Sequence, residues 1–379
     1  MSGIYIHIPY CRKKCLYCDF YTGGLRIADW RGYTDSIINE LEIRKDELKE
    51  TPKTLYLGGG TPSLIPESDF NRLIKSLNKN LDLSNIREFT IEVNPEDVTE
   101  DKIEIWKQGG VNRVSIGVQS FNYQELSTVG RTHDSMQAEN AVLRLQREFK
   151  NVSVDLMFGL PGQTPDSYRQ SLEKVISIRP THLSSYSLML EEGTALTMLV
   201  DRKDILLPDE SSWNEMQRIT DEKLQEVGYE RYEISNYCLK GFESQHNSSY
   251  WNGEPYLGLG CGAHSYDGNS IRRWNPNDIK GYIKFYGRKE KIEKNNNFFE
   301  EEILEEKELI EEMILTRLRT KGGISLAQFK SKFGEKEADK LKIKARPFLE
   351  TGLLKETADG LSMTDKGYPI SDLIIRELF

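Results

Sequence analysis

The sequence predicts an α/β protein in which a partial (β/α)6 barrel is followed by a small C-terminal α+β domain. Three observations carry this reading. From residue 1 to about 190, short β-branched runs alternate with amphipathic stretches of helical length, the pattern of βα units that build a parallel sheet. Six strand candidates precede the break in that alternation, over fewer residues than the roughly 250 that a closed eight-unit barrel takes. From about Phe298 the composition shifts to acidic helix with short apolar runs, which marks a separate small unit. A chain of 379 residues, 37% hydrophobic and 29% charged, has room for two or three domains and a core that needs no staples.

The strand candidates are Ile4–Ile8, Thr54–Leu57, Glu88–Val93, Arg113–Val118, Val152–Met157 and Leu183–Leu188. Helix candidates Trp30–Leu48, Glu67–Leu77, Glu100–Gln108, Ser135–Phe149 and Pro165–Ile178 separate them. Because side chains alternate across a strand, each candidate splits into an apolar and a polar face. In the third, Phe89, Ile91 and Val93 oppose Thr90, Glu92 and Asn94; in the fourth, Val114, Ile116 and Val118 oppose Ser115, Gly117 and Gln119. The fifth sets Val152, Val154 and Leu156 against Ser153, Asp155 and Met157, and the first sets Ile4, Ile6 and Ile8 against Tyr5 and His7. With helices covering the apolar faces, the polar set lines the interior, where a ligand or water must satisfy it.

Directly after the first strand candidate stands Cys11-Arg-Lys-Lys-Cys15-Leu-Tyr-Cys18, three thiols spaced C-x3-C-x2-C. A four-iron cluster takes four ligands, so three thiolates leave one iron open for chemistry. The alternatives are a zinc knuckle completed by a distant His or Cys, or free thiols. The two remaining cysteines, Cys238 and Cys261, are isolated, so no disulfide framework is expected and the usage fits a reducing compartment, the cytoplasm. The start shows no charged region followed by an apolar one and no stretch approaches 18 uninterrupted apolar residues, so neither secretion nor membrane spanning is expected. A net charge of −9 disfavours binding to nucleic acid, which relies on basic side chains.

The cysteine spacing, its place after a first strand and the aromatic Tyr17 before the last Cys resemble the radical S-adenosylmethionine (SAM) superfamily. That resemblance implies a radical-SAM (β/α)6 barrel in which Cys11, Cys15 and Cys18 hold a [4Fe-4S] cluster and SAM chelates the open iron. One-electron reduction then cleaves SAM to a 5′-deoxyadenosyl radical, chemistry that belongs to the cofactors. Gly58-Gly-Gly60-Thr-Pro62, by itself readable as a tight turn, resembles the superfamily's GGTP element, which assigns Gly59, Gly60 and Thr61 to the amino and carboxylate end of SAM. By the same resemblance Glu92, Gln119, Arg131 and Asp155 complete a SAM pocket, with Tyr5 and Tyr17 beside it; individually each also reads as a satisfied interior residue.

Beyond Leu190, Pro208–Val227 reads as a long helix and Arg231-Tyr-Glu-Ile234 as a strand extending the sheet. A Gly- and aromatic-rich segment follows, containing His246-Asn-Ser-Ser-Tyr-Trp251 and Tyr256-Leu-Gly-Leu-Gly-Cys-Gly-Ala-His264. After a polar linker at Lys294–Asn297, an acidic helix Glu300–Arg319 opens a winged-helix-like arrangement: helices Leu326–Phe333 and Ala338–Glu350, strands at Leu353-Leu-Lys355 and Leu361–Met363, and a final helix. Interleaved Lys and Glu favour a lid or docking module over a nucleic-acid reader there. The expected organisation is a barrel core over 1–190, a barrel extension over 191–297 and the C-terminal domain over 298–379.

As a whole the chain resembles the group that contains oxygen-independent coproporphyrinogen III oxidases and HemW-type haem chaperones. The oxidases follow the third Cys with Gly and a fourth Cys, whereas Asp19-Phe20 stands here, and Cys11 lies so near Met1 that their longer N-terminal extension is expected to be absent. His246 opens a segment similar to the chaperones' HNxxYW motif, whose His is associated with haem; the plainer reading is a loop His pairing with a carbonyl. The resemblance therefore implies a chaperone that binds haem, the cluster and SAM and delivers haem to haem-accepting proteins, without a transmembrane segment and with room for peripheral membrane contact. The alternatives are a coproporphyrinogen III oxidase, or a radical-SAM enzyme with an unrelated substrate.

Overall fold

The β-branched runs and their polar counterfaces are realised as six long strands: β1 (Ser2–Ile8), β2 (Pro52–Gly59), β3 (Glu88–Val93), β4 (Arg113–Gln119), β5 (Asn151–Phe158) and β6 (His182–Ser187). In this computed structural model, which describes residues 2–288 and 298–379, they hydrogen-bond in chain order and all run parallel. Helices Trp30–Arg44, Glu67–Asn80, Glu100–Gln108, Ser135–Glu148 and Pro165–Ile178 return the chain between them. Asp29, Thr99, Asp134 and Thr164 start four of these helices by accepting first-turn N–H groups that have no partner within the helix. Outward residues such as Ile6, Leu57, Ile91, Ile116 and Val154 are buried beneath the helices. Each contributes about 1.5–3 kcal/mol of transfer free energy.

The sheet continues past both ends of this series to twelve strands among the described residues. Tyr256–Leu259 pairs parallel with β1, and His264–Tyr266, Ile271–Trp274 and Glu300–Ile303 follow it antiparallel. At the other end, Asn236–Cys238 pairs antiparallel with β6 and then with Glu230–Arg231.

The second half of the chain departs from the sequence reading in three places. Of the strand expected at Arg231–Ile234 only Arg231 lies in one, the short Glu230–Arg231, and Glu233 accepts from the Ser235 N–H in the turn that leads to Asn236–Cys238. The helix expected from Glu300 starts at Glu306; Glu300–Ile303 is drawn into the sheet edge, where Arg273 on the neighbouring strand bonds Glu301 at 2.6 Å. Gln245–Trp251, where the plainer sequence reading put His246 on a loop, is a helix capped by Ser244. The expected linker Lys294–Asn297 lies outside the described residues.

The C-terminal unit has its own apolar cluster, including Leu318, Phe329, Leu341, Leu361 and Ile374. Its helices Glu306–Leu318, Leu326–Phe333, Glu335–Glu350 and Ser371–Leu378 pack around a three-stranded antiparallel sheet of Ile324–Ser325, Gly360–Met363 and Leu354–Glu356, a winged-helix-like arrangement. Arg317 ties it to the barrel by donating to the Asn252 backbone carbonyl at 3.0 Å and to the Asn252 side chain.

Glu88 links β3 to the helix Gln245–Trp251. Its buried carboxylate accepts from the backbone N–H groups of Gln245 at 2.7 Å and His246 at 3.0 Å and from the Ser244 hydroxyl at 3.2 Å, at the positive end of the helix. It also faces the fully buried Arg113 across the interior. Glu88→Ala should destabilise the protein by about 3 kcal/mol or more, because an uncompensated cation and open N–H groups stay behind; urea unfolding of wild type and variant measures the difference.

Candidate functional site

A cavity of about 430 Å³ occupies the interior toward the carboxyl ends of β1 to β6. Its wall brings together Cys11, Cys15, Tyr17, Cys18, Gly59, Gly60, Thr61, Glu92, Gln119, Arg131 and Asp155. The thiols arrive on the loop after β1, the glycines after β2, Glu92 on β3, Gln119 at the end of β4 and Asp155 on β5. Gly59 holds φ +107°, and a Cβ there would stand 2.4 Å from the His7 ring, so the turn admits glycine alone without moving its neighbours. Gln119 takes φ +68° beside a register shift between Gly117 and Gln119, a strained geometry of the kind found at binding sites.

Thr61 donates to Cys11 Sγ at 3.3 Å and Arg131 to Cys15 Sγ at 3.7 Å. Burial pushes the Cys11 thiol up, and the Cys18 thiol up to about 11. Both are therefore protonated at neutral pH until a metal displaces the proton. Among the described residues no three His, Cys, Asp or Glu side chains converge on a single metal ion. A cluster that offers one iron to each thiol asks for no such convergence, and the donor set fits it: three thiols share one wall, while Cys238 and Cys261 are buried away from the cavity.

Glu92 accepts from the Tyr56 hydroxyl at 2.7 Å and the Gly59 N–H at 3.0 Å. Burial, with Asp155 nearby, nevertheless pushes its carboxyl up to about 7. Asp155 accepts from Ser115 at 3.1 Å and Ser153 at 3.3 Å and is also raised by burial. Two buried carboxyls that resist ionisation suit a cationic guest, and SAM carries an ammonium and a sulfonium.

Tyr5 and His246 stand outside the cavity wall. Tyr5 faces inward as its parity predicts, but its hydroxyl is engaged with His7 Nδ1 at 3.0 Å. His246 is fully buried: Nδ1 meets Thr54 Oγ1 at 2.8 Å, Nε2 meets the Tyr250 hydroxyl at 2.8 Å, and the ring stacks on Tyr56. Burial, aided by Arg113, lowers its pKa to about 3, so the imidazole is neutral. Residues not singled out in the sequence also line the wall, among them Tyr56, Arg113, Ser184, Tyr186 and Asn247. All but Asn247 share the inward parity of their strands and were open to that argument; Asn247 arrives on a helix from beyond the barrel.

Comparison with known proteins agrees with this geometry. Residues 5–175 match the radical SAM superfamily and residues 304–370 the HemN C-terminal domain. The chain is 34% identical to the heme chaperone HemW of Lactococcus lactis subsp. lactis (strain IL1403), covering 99% of this chain and 97% of that one. It is 34% identical to HemW of Bacillus subtilis (strain 168), covering 97% and 96%. Among solved structures, the radical SAM enzyme coproporphyrinogen III oxidase (HemN) from Escherichia coli superposes with a TM-score of 0.83 over 100% of this chain and 89% of that one, at 22% identity. That likeness speaks for the fold.

Two outcomes follow from the site. Replacing Cys11, Cys15 and Cys18 together by Ala should abolish cluster assembly, read as iron, sulfide and visible absorbance after anaerobic reconstitution. For Glu92, the folded pKa of about 7 lies above the ordinary 4.5, so the folded state holds the proton more tightly. Stability of the cluster-free protein is then fully present below about 4.5 and declines as pH rises to about 7, by roughly 3 kcal/mol. Glu92→Gln removes that decline, so its melting temperature should gain on wild type between pH 5 and 8; a gap that stays constant with pH refutes the assignment.

Proposed function

Because the chain belongs to the radical SAM superfamily and, within it, to the family of the heme chaperone HemW, we propose that it is a haem chaperone. In this reading it binds haem, carries a [4Fe-4S] cluster on Cys11, Cys15 and Cys18 with SAM at the open iron, and hands haem to haem proteins in the cytoplasm. The observation that carries it is the similarity to HemW proteins over the whole length of the chain. Asp19-Phe20 after Cys18 supports it against the oxidase, which keeps a further Cys there. No described helix is long and apolar enough to cross a membrane.

Bound together, the cluster and SAM supply one-electron reductive chemistry. The chain's own residues do the rest. Backbone at Gly59 and Gly60 lets a ligand approach closely, the Glu92 and Asp155 carboxyls offer oxygens to its cationic end, and Tyr17 lines the cavity beside the cysteines. His246 would hold a haem iron in this reading once one of its two ring contacts is released, Nε2 with the Tyr250 hydroxyl or Nδ1 with Thr54.

The test is an anaerobic haem titration of reconstituted protein beside a reaction with reductant, SAM and coproporphyrinogen III. Saturable haem binding without release of carbon dioxide or protoporphyrinogen is expected. Decarboxylation without saturable haem binding overturns the chaperone reading in favour of the oxidase.

A further inference from the structure

The segment that follows β4 returns to the cysteine loop and is pinned to it at two points. The Leu16 N–H donates to the Val129 carbonyl at 3.1 Å, and two residues on, Arg131 Nη1 reaches Cys15 Sγ at 3.7 Å. The guanidinium is anchored from behind: Nη2 donates to Asn94 Oδ1 at 2.8 Å and to the Gly117 carbonyl, at the carboxyl ends of β3 and β4. Nε is buried without a partner. One edge of a rigid fork is thus fixed by the barrel while the other faces a thiol sulfur. Lys13 and Lys14 also border the cavity, but Lys14 Nζ is turned to the Phe20 carbonyl at 2.9 Å.

We propose that Arg131 sets the reduction potential of the cluster by donating an N–H group to the Cys15 thiolate. This rests on the assignment of the three cysteines made above, and it is separate from the contact to SAM that resemblance assigns to the same residue. When a low-potential external donor supplies one electron, the cluster and its thiolates gain one negative charge and no proton moves. A cation with an N–H group on the sulfur stabilises that added charge, as hydrogen bonds to cluster sulfurs and nearby charge do generally. The Asn94 and Gly117 anchors make the arrangement stiff, so the donor stays in place in both redox states.

The experiment is an anaerobic redox titration, without SAM, of reconstituted wild type, Arg131→Gln and Asn94→Ala, followed by the signal of the reduced cluster in electron paramagnetic resonance. The midpoint potential of Arg131→Gln should fall below that of wild type. Asn94→Ala, which keeps the guanidinium and its Gly117 bond but removes the other anchor, should shift the same way by less. Wild-type potentials in both variants, with full iron and sulfide content, overturn the proposal; a residue that only contacts SAM or only supports the fold leaves a SAM-free potential unmoved. If Arg131→Gln fails to hold a cluster, Asn94→Ala decides alone: a lower potential supports the proposal and an unchanged one overturns it. Failure of the wild type itself to assemble a cluster refutes the cysteine assignment instead.

Discussion

The structure depends on one requirement: a parallel sheet whose inner face is polar must provide a partner for each group it takes out of water. An unpaired buried donor or acceptor costs about 1–3 kcal/mol, and the inward residues of β2 to β6 include Thr54, Glu88, Glu92, Arg113, Ser115, Ser153, Asp155 and His182. Most of them are satisfied by one another or by the helix Gln245–Trp251, while Arg113 Nε is left without a partner. Ser153 meets His182 at 2.7 Å, His182 meets the Tyr232 hydroxyl at 2.8 Å, and Thr54 meets His246 at 2.8 Å. Toward the amino ends of the strands this network is dense. Toward the carboxyl ends it thins out, and there the cavity opens. Glu92 and Asp155 sit at the transition, held by hydroxyl and N–H donors yet still pushed toward their neutral forms.

Most of the barrel was legible because the two periodicities are clean. Glu88–Val93, Glu100–Gln108 and Pro165–Ile178 have the bounds their patterns indicate, and the inward parity of Glu92, Gly117 and Asp155 puts them on the cavity wall. Parity also marked Tyr5, but it says only which face a side chain takes, and the Tyr5 hydroxyl is absorbed by His7 two residues along the same strand. Tyr56 stacks on His246 in the same way, a pairing between β2 and a distant helix that no local pattern signals.

The second half was less legible because its elements are short and owe their form to partners far along the chain. Gln245–Trp251 is rich in residues with little helical preference and stands because Ser244 caps it and Glu88 receives its first N–H groups. Glu300–Ile303 carries helix-forming glutamates, yet it pairs antiparallel with Ile271–Trp274, where Arg273 bonds Glu301. In both cases a charge from another element outweighs local propensity, and the sequence distance between partners hides the pairing.

The helix that carries His246 is secured at both ends, by Glu88 at its first turn and by Arg317, which grips Asn252 just past its last. It is therefore a beam clamped between barrel and C-terminal unit, and bending it at one end loads the other. Shortening the chain before Arg317, or grafting a foreign C-terminal unit that lacks an arginine in register with Asn252, leaves the beam a cantilever. Its free end then carries Tyr250, whose hydroxyl meets His246 Nε2, so the loss of one arginine in the outer unit loosens the end of the helix that holds the imidazole in place.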